Sequence, residues 1–224
     1  VIILIAGIFF ALQADNWNER RQNKIIEISI LKSIKTGLEQ DLVPLREDDL
    51  PLLREVIASS QIIIEQLENN RPYNDSLGYH FLTSHLTTLI IYNKGAISTL
   101  KSIGINTITN EKIRDQVINL FDVKLYFLDM VGNVHGSSSI YGINHILNSR
   151  FDQANYYDDP MTEKEWDGAM IPLDYEGLKK DNEYLYFVKS YKNLTFYYLQ
   201  NFFDIENEIS QVISNIEEEL NTLE

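Results

Sequence analysis

Residues 25–42 of the chain read IIEISILKSIKTGLEQDL, and this stretch decides the fold class. Its apolar side chains recur every third or fourth residue, which is typical of an amphipathic α-helix that buries one face. Nothing between this stretch and the residues before it breaks a helix, so the helix is predicted to continue upstream. The predicted buried face consists of Ile25, Ile28, Leu31, Ile34, Leu38 and Leu42.

The upstream segment Val1–Leu12 reads VIILIAGIFFAL and has no polar side chain. A helix needs roughly 20 apolar residues to cross a bilayer, so this run is too short by itself. Because the chain begins without Met and inside the run, we expect the C-terminal part of a truncated transmembrane helix. Trp17 follows where an interfacial aromatic residue belongs, with Arg20 and Arg21 just beyond it. Residues 1–17 are thus predicted to be an anchor in the lipid bilayer with its interfacial boundary, and residues 18–224 a helical extramembrane domain.

Two other interpretations of the apolar run were weighed against the anchor. A signal peptide needs small residues before its cleavage site, and cleavage after Ala14 would place Leu12 at such a position. A buried core helix seldom opens with an unbroken apolar run and then turns strongly polar. The anchor is favoured over both.

Downstream, Pro44 and Pro51 flank a polar patch, and each Pro disfavours helix at the residue before it. A kink or a turn is therefore expected there. Gly104 is expected to end one helix, and Gly132 and Gly136, with the serines that follow, predict a bend near 132–138. Apolar spacing with stop and cap signals predicts helices over about 51–70, 76–91, 95–103, 111–130, 140–150 and 181–223.

The composition favours long helices, because the 224 residues include only 5 Pro and 10 Gly. No β-type alternation of useful length appears, apart from a short stretch at Tyr184–Val188. The predicted fold class is all-α: an N-terminal transmembrane helix, truncated, that continues into a bundle of long helices.

The net charge of −14, from 33 acidic and 19 basic residues, argues against nucleic acid as a partner, because phosphate backbones would be repelled. The chain has no cysteine, which excludes disulfides, thiol catalysis and cysteine metal sites. The acidity is interpreted mainly as a means of keeping a helical surface soluble.

The four histidines, His80, His85, His135 and His145, are not arranged in a metal-binding motif. Ordinary polar packing is the favoured interpretation. A metal-assisted hydrolase is the alternative, and it requires at least three of these histidines and nearby acids to converge. An acidic cluster is interpreted as a solvated loop and not as a cation site; it comprises Asp158, Asp159, Glu163, Glu165 and Asp167. No catalytic, cofactor-binding or metal-binding residue is therefore assigned.

Aromatic residues crowd the segment from Tyr184 to Phe203 and cover more than one helical face. Core packing explains part of this excess, since aromatics at helical spacing usually belong to the core. The remainder predicts a ligand pocket or a partner surface. The residues assigned to that surface are Tyr191, Tyr197, Tyr198 and Phe202.

The string ALQADNWNER at residues 11–20 resembles the apolar-span-then-NNWNE signature of an uncharacterised bacterial membrane family, domain of unknown function 6090, common in Bacteroidota. The strings RPYNDSL at 71–77 and AISTLKSIG at 96–104 are similar to the same family. Asp15 stands where the family more often has Asn. The resemblance covers about the first half of the chain, with a weaker similarity at 173–175 and in the last helix. The family has no established activity, so no site residue is carried over.

Two signals conflict over the side of the membrane on which the helical domain lies. Arg20, Arg21 and Lys24 by themselves would hold this flank in the cytoplasm. The resemblance implies a more basic segment upstream, hence a periplasmic domain on a single-pass protein of the bacterial inner membrane, and it is preferred.

The resulting hypothesis is a non-enzymatic protein whose helical domain binds a partner or senses a ligand. Helices this long can pair between chains, so a homo-oligomer or an envelope protein is a candidate partner. A structural envelope spacer, which predicts no pocket, is a further alternative.

Overall fold

Helix α1 runs unbroken from Ile2 to Pro44 in a computed structural model that describes residues 2–154 and 168–224. The side chains of residues 2–6, 8, 9, 11, 153 and 154 lie outside that description. The predicted continuity between the N-terminal segment and the amphipathic stretch is confirmed. Within the described part of the chain, no helix combines the length and the apolar character needed to cross a bilayer.

The buried face of α1 begins one turn later than predicted. Ile25 is 51% exposed, so its assignment to the buried face is wrong. Glu27 is buried instead, and its carboxylate accepts hydrogen bonds from the backbone N–H and the hydroxyl of Thr109, at 2.6 and 2.8 Å. These two bonds satisfy the charge that burial would otherwise leave unsolvated. The fully buried apolar residues that follow are Ile30, Leu31, Ile34, Leu38 and Leu42.

The expected kink or turn at Pro44 takes the form of a π-helical turn, Leu45–Asp49, before helix α2, Leu50–Glu68. Pro51 lies in the first turn of α2, where a missing N–H is tolerated. The predicted stop after α2 is confirmed, since Asn70 has a φ of 50°, in the left-handed region that ends helices.

Helix α3, Leu77–Thr83, is shorter than the predicted 76–91 helix. The segment that follows has its backbone carbonyls satisfied by side chains instead of by a helix. The carbonyl of Leu86 accepts a hydrogen bond from the Tyr191 hydroxyl at 2.9 Å, and that of Thr88 from the Tyr198 hydroxyl at 3.2 Å. These long-range bonds replace the helical ones that local periodicity predicts.

Two helices follow that begin at their predicted positions, although the second does not extend as one α-helix to residue 130. Helix α4, Gly95–Ile103, ends at Gly104, whose φ of 108° is accessible mainly to glycine. Helix α5, Glu111–Asn119, is capped by the Asn110 side chain, which accepts hydrogen bonds from two backbone N–H groups of the first turn. A π-helical turn, Leu120–Lys124, leads directly into helix α6, Leu125–His145.

The bend predicted near 132–138 is wrong, because α6 passes straight through this region. The glycines serve close packing. A Cβ at Gly132 would collide with the hydroxyl of Tyr198, and one at Gly142 would collide with the ring of Phe187. The helix predicted at 140–150 is the end of α6 followed by a 3-10 turn, Leu147–Ser149.

Two short strands, which the sequence did not predict, follow α6. Strand β1, Phe151–Ala154, pairs antiparallel with β2, Ala169–Pro172. Four residues are too few to show a period-2 alternation against background. The acidic cluster that was interpreted as a solvated loop falls within 155–167, outside the described residues.

The chain closes with helix α7, Tyr175–Leu178, and helix α8, Asn182–Leu223. The long last helix is confirmed, and the short stretch considered as a strand, Tyr184–Val188, lies inside it. The all-α class is thus confirmed, with one two-stranded sheet among the described residues.

The chain divides into two compact units. The first comprises Val1–Leu42, Ile91–Leu125 and Glu206–Glu224, and the second comprises Val43–Ile90 and Tyr126–Ile205. Buried aliphatic residues of α1, α4, α5 and α8 lie in the first unit, among them Leu31, Leu100, Val117 and Ile209. The core of the second gathers residues of α2, α3 and α8 around a set of aromatic rings, among them Phe81, Phe151 and Tyr184.

Candidate ligand-binding groove

The aromatic residues of α8 divide between a buried stripe and an exposed one. Tyr191, Tyr198 and Phe202 are at most 2% exposed, so they do not form an exposed partner surface. Tyr191 nevertheless lines the groove described below, and its assignment to a ligand pocket stays a prediction. Their spacing of seven and four residues places them on one helical face, and that face packs into the core of the second unit. Tyr197 is 50% exposed and remains available on the surface.

An open groove lies between α6 and α8, within the second unit, and has a volume of about 820 Å³. This size falls in the range of roughly 300–1,000 Å³ that is usual for small-molecule sites. Its apolar lining is contributed by Tyr126, Met130, Val134, Tyr141 and Ile146 and by Tyr186, Phe187, Tyr191 and Leu194.

The lining side chains of α6 form a second stripe that the sequence interpretation missed. Tyr126, Met130, Val134 and Tyr141 are each between 47% and 64% exposed, which is unusual for four large apolar side chains on one helix. The signal was present in the sequence, because the first three are spaced four residues apart and Tyr141 follows seven later. It was masked by the stronger buried stripe of Leu125 and Leu128 on the opposite side.

The groove is open because small side chains lie between its large ones. Ser137, Ser138 and Ser190 contribute hydroxyls of low volume to its lining. Beside them, Gly136 has no heavy atom within 4 Å of where its Cβ would stand. The rings of α8 can approach α6 because Gly132 and Gly142 lie opposite Tyr198 and Phe187. This pairing also shows that the two helices run antiparallel.

A buried polar network centred on His135 packs against Tyr191, which lines the groove. His135 is fully buried, and its ring lies 4.6 Å from that of Tyr191 and 4.9 Å from that of Tyr198. Its Nε2 lies 2.8 Å from the hydroxyl of Thr195, and that hydroxyl donates to the Tyr191 carbonyl. Nε2 must therefore carry the proton, and Nδ1 accepts from the Thr87 hydroxyl at 2.8 Å.

Each of the four histidines has a hydrogen-bond partner on a neighbouring side chain or carbonyl. Burial lowers the pKa of His135 to about 4, as it does for His85, so both are neutral at pH 7. The Nδ1 atoms of His80 and His145 bond to the Ser59 hydroxyl and the Tyr141 carbonyl, at 3.1 Å in each case. Among the described residues, no three His, Asp or Glu side chains converge on a metal-sized site. The convergence of His and acidic side chains that a metal-assisted hydrolase requires is therefore not found among these residues.

The charged side chains that line the groove are acidic. They are Asp129 and Glu183, and none of the described lining residues is basic. The Glu183 carboxylate accepts a hydrogen bond from the Arg150 guanidinium at 2.6 Å, which neutralises much of its charge. Asp129 is half-buried and forms no salt bridge with a described residue.

The residues assigned to the membrane interface all lie exposed on α1. Trp17 is 65% exposed, and the guanidinium carbon of Arg21 stands 5.8 Å from the centre of its ring, in the range of a cation–π contact. Arg20 is exposed beside them. These contacts lie within one helix.

Comparison with known proteins finds no relative: no family model matches the chain, and no curated protein or solved structure is significantly similar to it. The resemblance to domain of unknown function 6090 therefore stays a prediction.

Proposed function

We propose that this chain is a non-enzymatic, membrane-anchored binding protein whose groove between α6 and α8 takes up an apolar ligand. The observation that carries the proposal is the exposure of four large apolar side chains along one face of α6, opposite the exposed Tyr186 of α8. Water contact with so many apolar groups is unfavourable, and a ligand that covered them would gain about 25 cal/mol for each Å² of apolar area removed from water. A structural spacer predicts no pocket, so the groove favours binding.

The groove is tested with N-phenyl-1-naphthylamine, a neutral apolar fluorophore whose emission rises in apolar surroundings. The full chain is expected to bind it, and Val134→Asp is expected to weaken binding at least tenfold, because a carboxylate would enter the apolar lining. Leu173→Asp is the matched control, since Leu173 is 65% exposed in the same unit and outside the groove. Equal binding by the two variants would refute the proposal.

The membrane anchor is proposed on three features of α1. Residues 1–12 are apolar, Trp17 is an exposed interfacial aromatic residue, and Arg20 and Arg21 follow it. The resemblance of residues 11–20 to domain of unknown function 6090 implies the same arrangement. The full chain is expected to float with vesicles of phosphatidylethanolamine and phosphatidylglycerol.

Two substitutions on α1 make the anchor test specific. Phe10 and Ile25 are both exposed apolar residues on this helix, at 72% and 51%. Phe10→Asp is expected to lower the floated fraction severalfold, because a carboxylate would have to enter the hydrocarbon. Ile25→Asp lies beyond the interface and is expected to leave it unchanged. Failure of the unsubstituted chain to float would remove the anchor proposal.

The proposed localisation is the bacterial inner membrane, with the helical domain in the periplasm. Alkaline phosphatase fused after Glu224 in the native gene is expected to be active, since it folds only outside the cytoplasm. Activity of a green fluorescent protein fusion at the same site, with an inactive phosphatase fusion, would reverse the orientation. Nucleic acid is not proposed as a ligand, because the net charge of −14 repels phosphate.

A partner protein, either a second copy or another envelope protein, is proposed through the same exposed apolar residues. Chemical crosslinking in membranes is expected to trap it, and Val134→Asp is expected to reduce the crosslinked fraction more than Leu173→Asp does. Crosslinking that both variants leave unchanged would place the partner elsewhere on the chain.

A further inference from the structure

The charge of the groove selects among apolar ligands, and this inference rests on the proposed function. Of the two acidic lining residues, Glu183 is paired with Arg150, whereas Asp129 has no cationic partner among the described residues. The side-chain amide of the nearby Asn133 donates to the Asp129 backbone carbonyl at 2.9 Å, and Asn133 carries no charge that could neutralise the carboxylate. A negative charge without a cationic partner among the described residues therefore stands towards one end of a groove whose lining is mostly apolar.

The surroundings of Asp129 suit a cation. Tyr126 lies one helical turn before Asp129 on the same side of α6 and is 64% exposed, so much of this side chain is accessible to a ligand. Aromatic faces attract ammonium groups, and a neighbouring carboxylate adds a direct charge interaction. The same carboxylate repels an anion.

The rest of the groove is apolar and elongated. From Asp129 to Tyr141 the lining follows α6 for 12 residues, which is about 18 Å at 1.5 Å per residue. Because α8 runs antiparallel to α6, Glu183 with its Arg150 partner lies at the far end, away from Asp129. A ligand therefore meets one charged end and a long apolar path.

We propose that the groove binds an amphipathic organic cation, with its apolar body along Met130, Val134 and Tyr141 and its positively charged nitrogen beside Asp129. The nitrogen contacts the Asp129 carboxylate and the face of the Tyr126 ring, while the apolar body covers the exposed stripe of α6. A ligand with the same apolar body and a negative head is rejected.

The experiment compares three molecules that share one alkyl chain and differ in head-group charge. Dodecyltrimethylammonium, dodecyl maltoside and dodecyl sulfate, each below its micellar concentration, compete with N-phenyl-1-naphthylamine on the full chain. The part of the displacement that Val134→Asp abolishes belongs to the groove. For that part, the cation is expected to act at a concentration about tenfold lower than the neutral molecule, with the anion weakest.

Three variants separate Asp129 from the general acidity of the chain. Asp129→Asn is expected to reduce the advantage of the cation to about twofold or less, and Asp129→Glu to keep most of it. Asp204→Asn removes an exposed charge from α8 outside the groove and is expected to leave the advantage unchanged. Retention of the advantage in Asp129→Asn would overturn the inference.

The outcomes also separate this inference from the proposed function. If the neutral and cationic molecules compete equally, and Val134→Asp still abolishes binding, the groove binds apolar ligands without charge selection and only the inference fails. If Val134→Asp changes the displacement of the fluorophore by none of the three molecules, the groove is not the binding site. The proposed function then fails together with the inference.

Discussion

Replacing Tyr184 by Phe is expected to stabilise the protein, although it removes a polar group from the core. Tyr184 is fully buried, with its ring centre 5.3 Å from that of Phe151 and 6.4 Å from that of Phe81. Its hydroxyl has no hydrogen-bond partner among the described residues. The same burial raises the pKa of this phenol far above its usual value, so the group stays neutral.

The expected change in the free energy of unfolding follows from comparing the Tyr184 hydroxyl in the unfolded and the folded chain. In the unfolded chain the Tyr184 hydroxyl bonds to water, and folding removes those bonds without replacement, which costs about 1–3 kcal/mol. Phe keeps the ring and its contacts and removes the cost. Allowing for small losses of packing, the free energy of unfolding is expected to rise by about 1–2 kcal/mol, or roughly 2–4 °C in Tm for each kcal/mol.

The assay is urea unfolding followed by circular dichroism at unchanged m-value. Tyr198→Phe is the matched control, since Tyr198 is equally buried but its hydroxyl donates to the Thr88 carbonyl at 3.2 Å. This control is expected to destabilise by about 1 kcal/mol. If Tyr184→Phe lowered stability as much as Tyr198→Phe, the Tyr184 hydroxyl would have a partner and the reasoning would be refuted.

Three further perturbations test packing, titration and capping. Gly142→Ala is expected to destabilise by about 1–3 kcal/mol because its methyl would collide with Phe187, whereas Gly136→Ala, in open space on the same helix, is expected to be neutral or stabilising by up to about 1 kcal/mol; thermal unfolding compares them. Lowering the pH from 6.5 towards 4 is expected to destabilise the protein, since the unfolded imidazole of His135 takes up a proton that the folded one, with a pKa of about 4, does not. The contribution of His135 is about 3 kcal/mol at pH 4 and absent above pH 6.5. Urea unfolding at pH 7.5, 5.5 and 4.5 measures the dependence, and His135→Gln is expected to reduce it without abolishing it, because His85 has a similarly lowered pKa. Asn110→Ala removes two capping bonds from α5 and is expected to cost about 1 kcal/mol by the same assay.

Local signals were sufficient for most helices and for several of their ends. Gly104 and Asn110 act within one turn of chain, through a backbone conformation and a side-chain cap, so their effects could be predicted without knowledge of the fold. The end of α3 could not. It depends on hydroxyls of Tyr191 and Tyr198, which lie more than 100 residues away in sequence and bond to carbonyls of the segment after α3.

The groove could be predicted only in part, for a similar reason. The aromatic excess of α8 was visible, but which rings face the core depends on the position of α6. Gly132 was interpreted from the sequence as part of a bend, yet in the fold it accommodates the ring of Tyr198, as Gly142 accommodates that of Phe187. A glycine that permits close packing cannot be distinguished locally from one that permits a bend.

Substitutions in the buried floor of the groove, at Tyr191, and on its exposed rim, at Val134, are expected to have different effects. The first should change stability and the second should change ligand affinity, so binding can be tested apart from folding. On the floor, Tyr191 is fixed by its hydroxyl bond to the Leu86 carbonyl and by the His135 ring, so changes there reduce stability first. On the rim, Val134 is 53% exposed and has little burial to lose. Because the contacts that fix Tyr191 come from the protein itself, we expect the groove to be largely preformed. Rim substitutions should therefore change affinity at nearly constant stability, which is why the binding tests are placed at Val134 and Asp129.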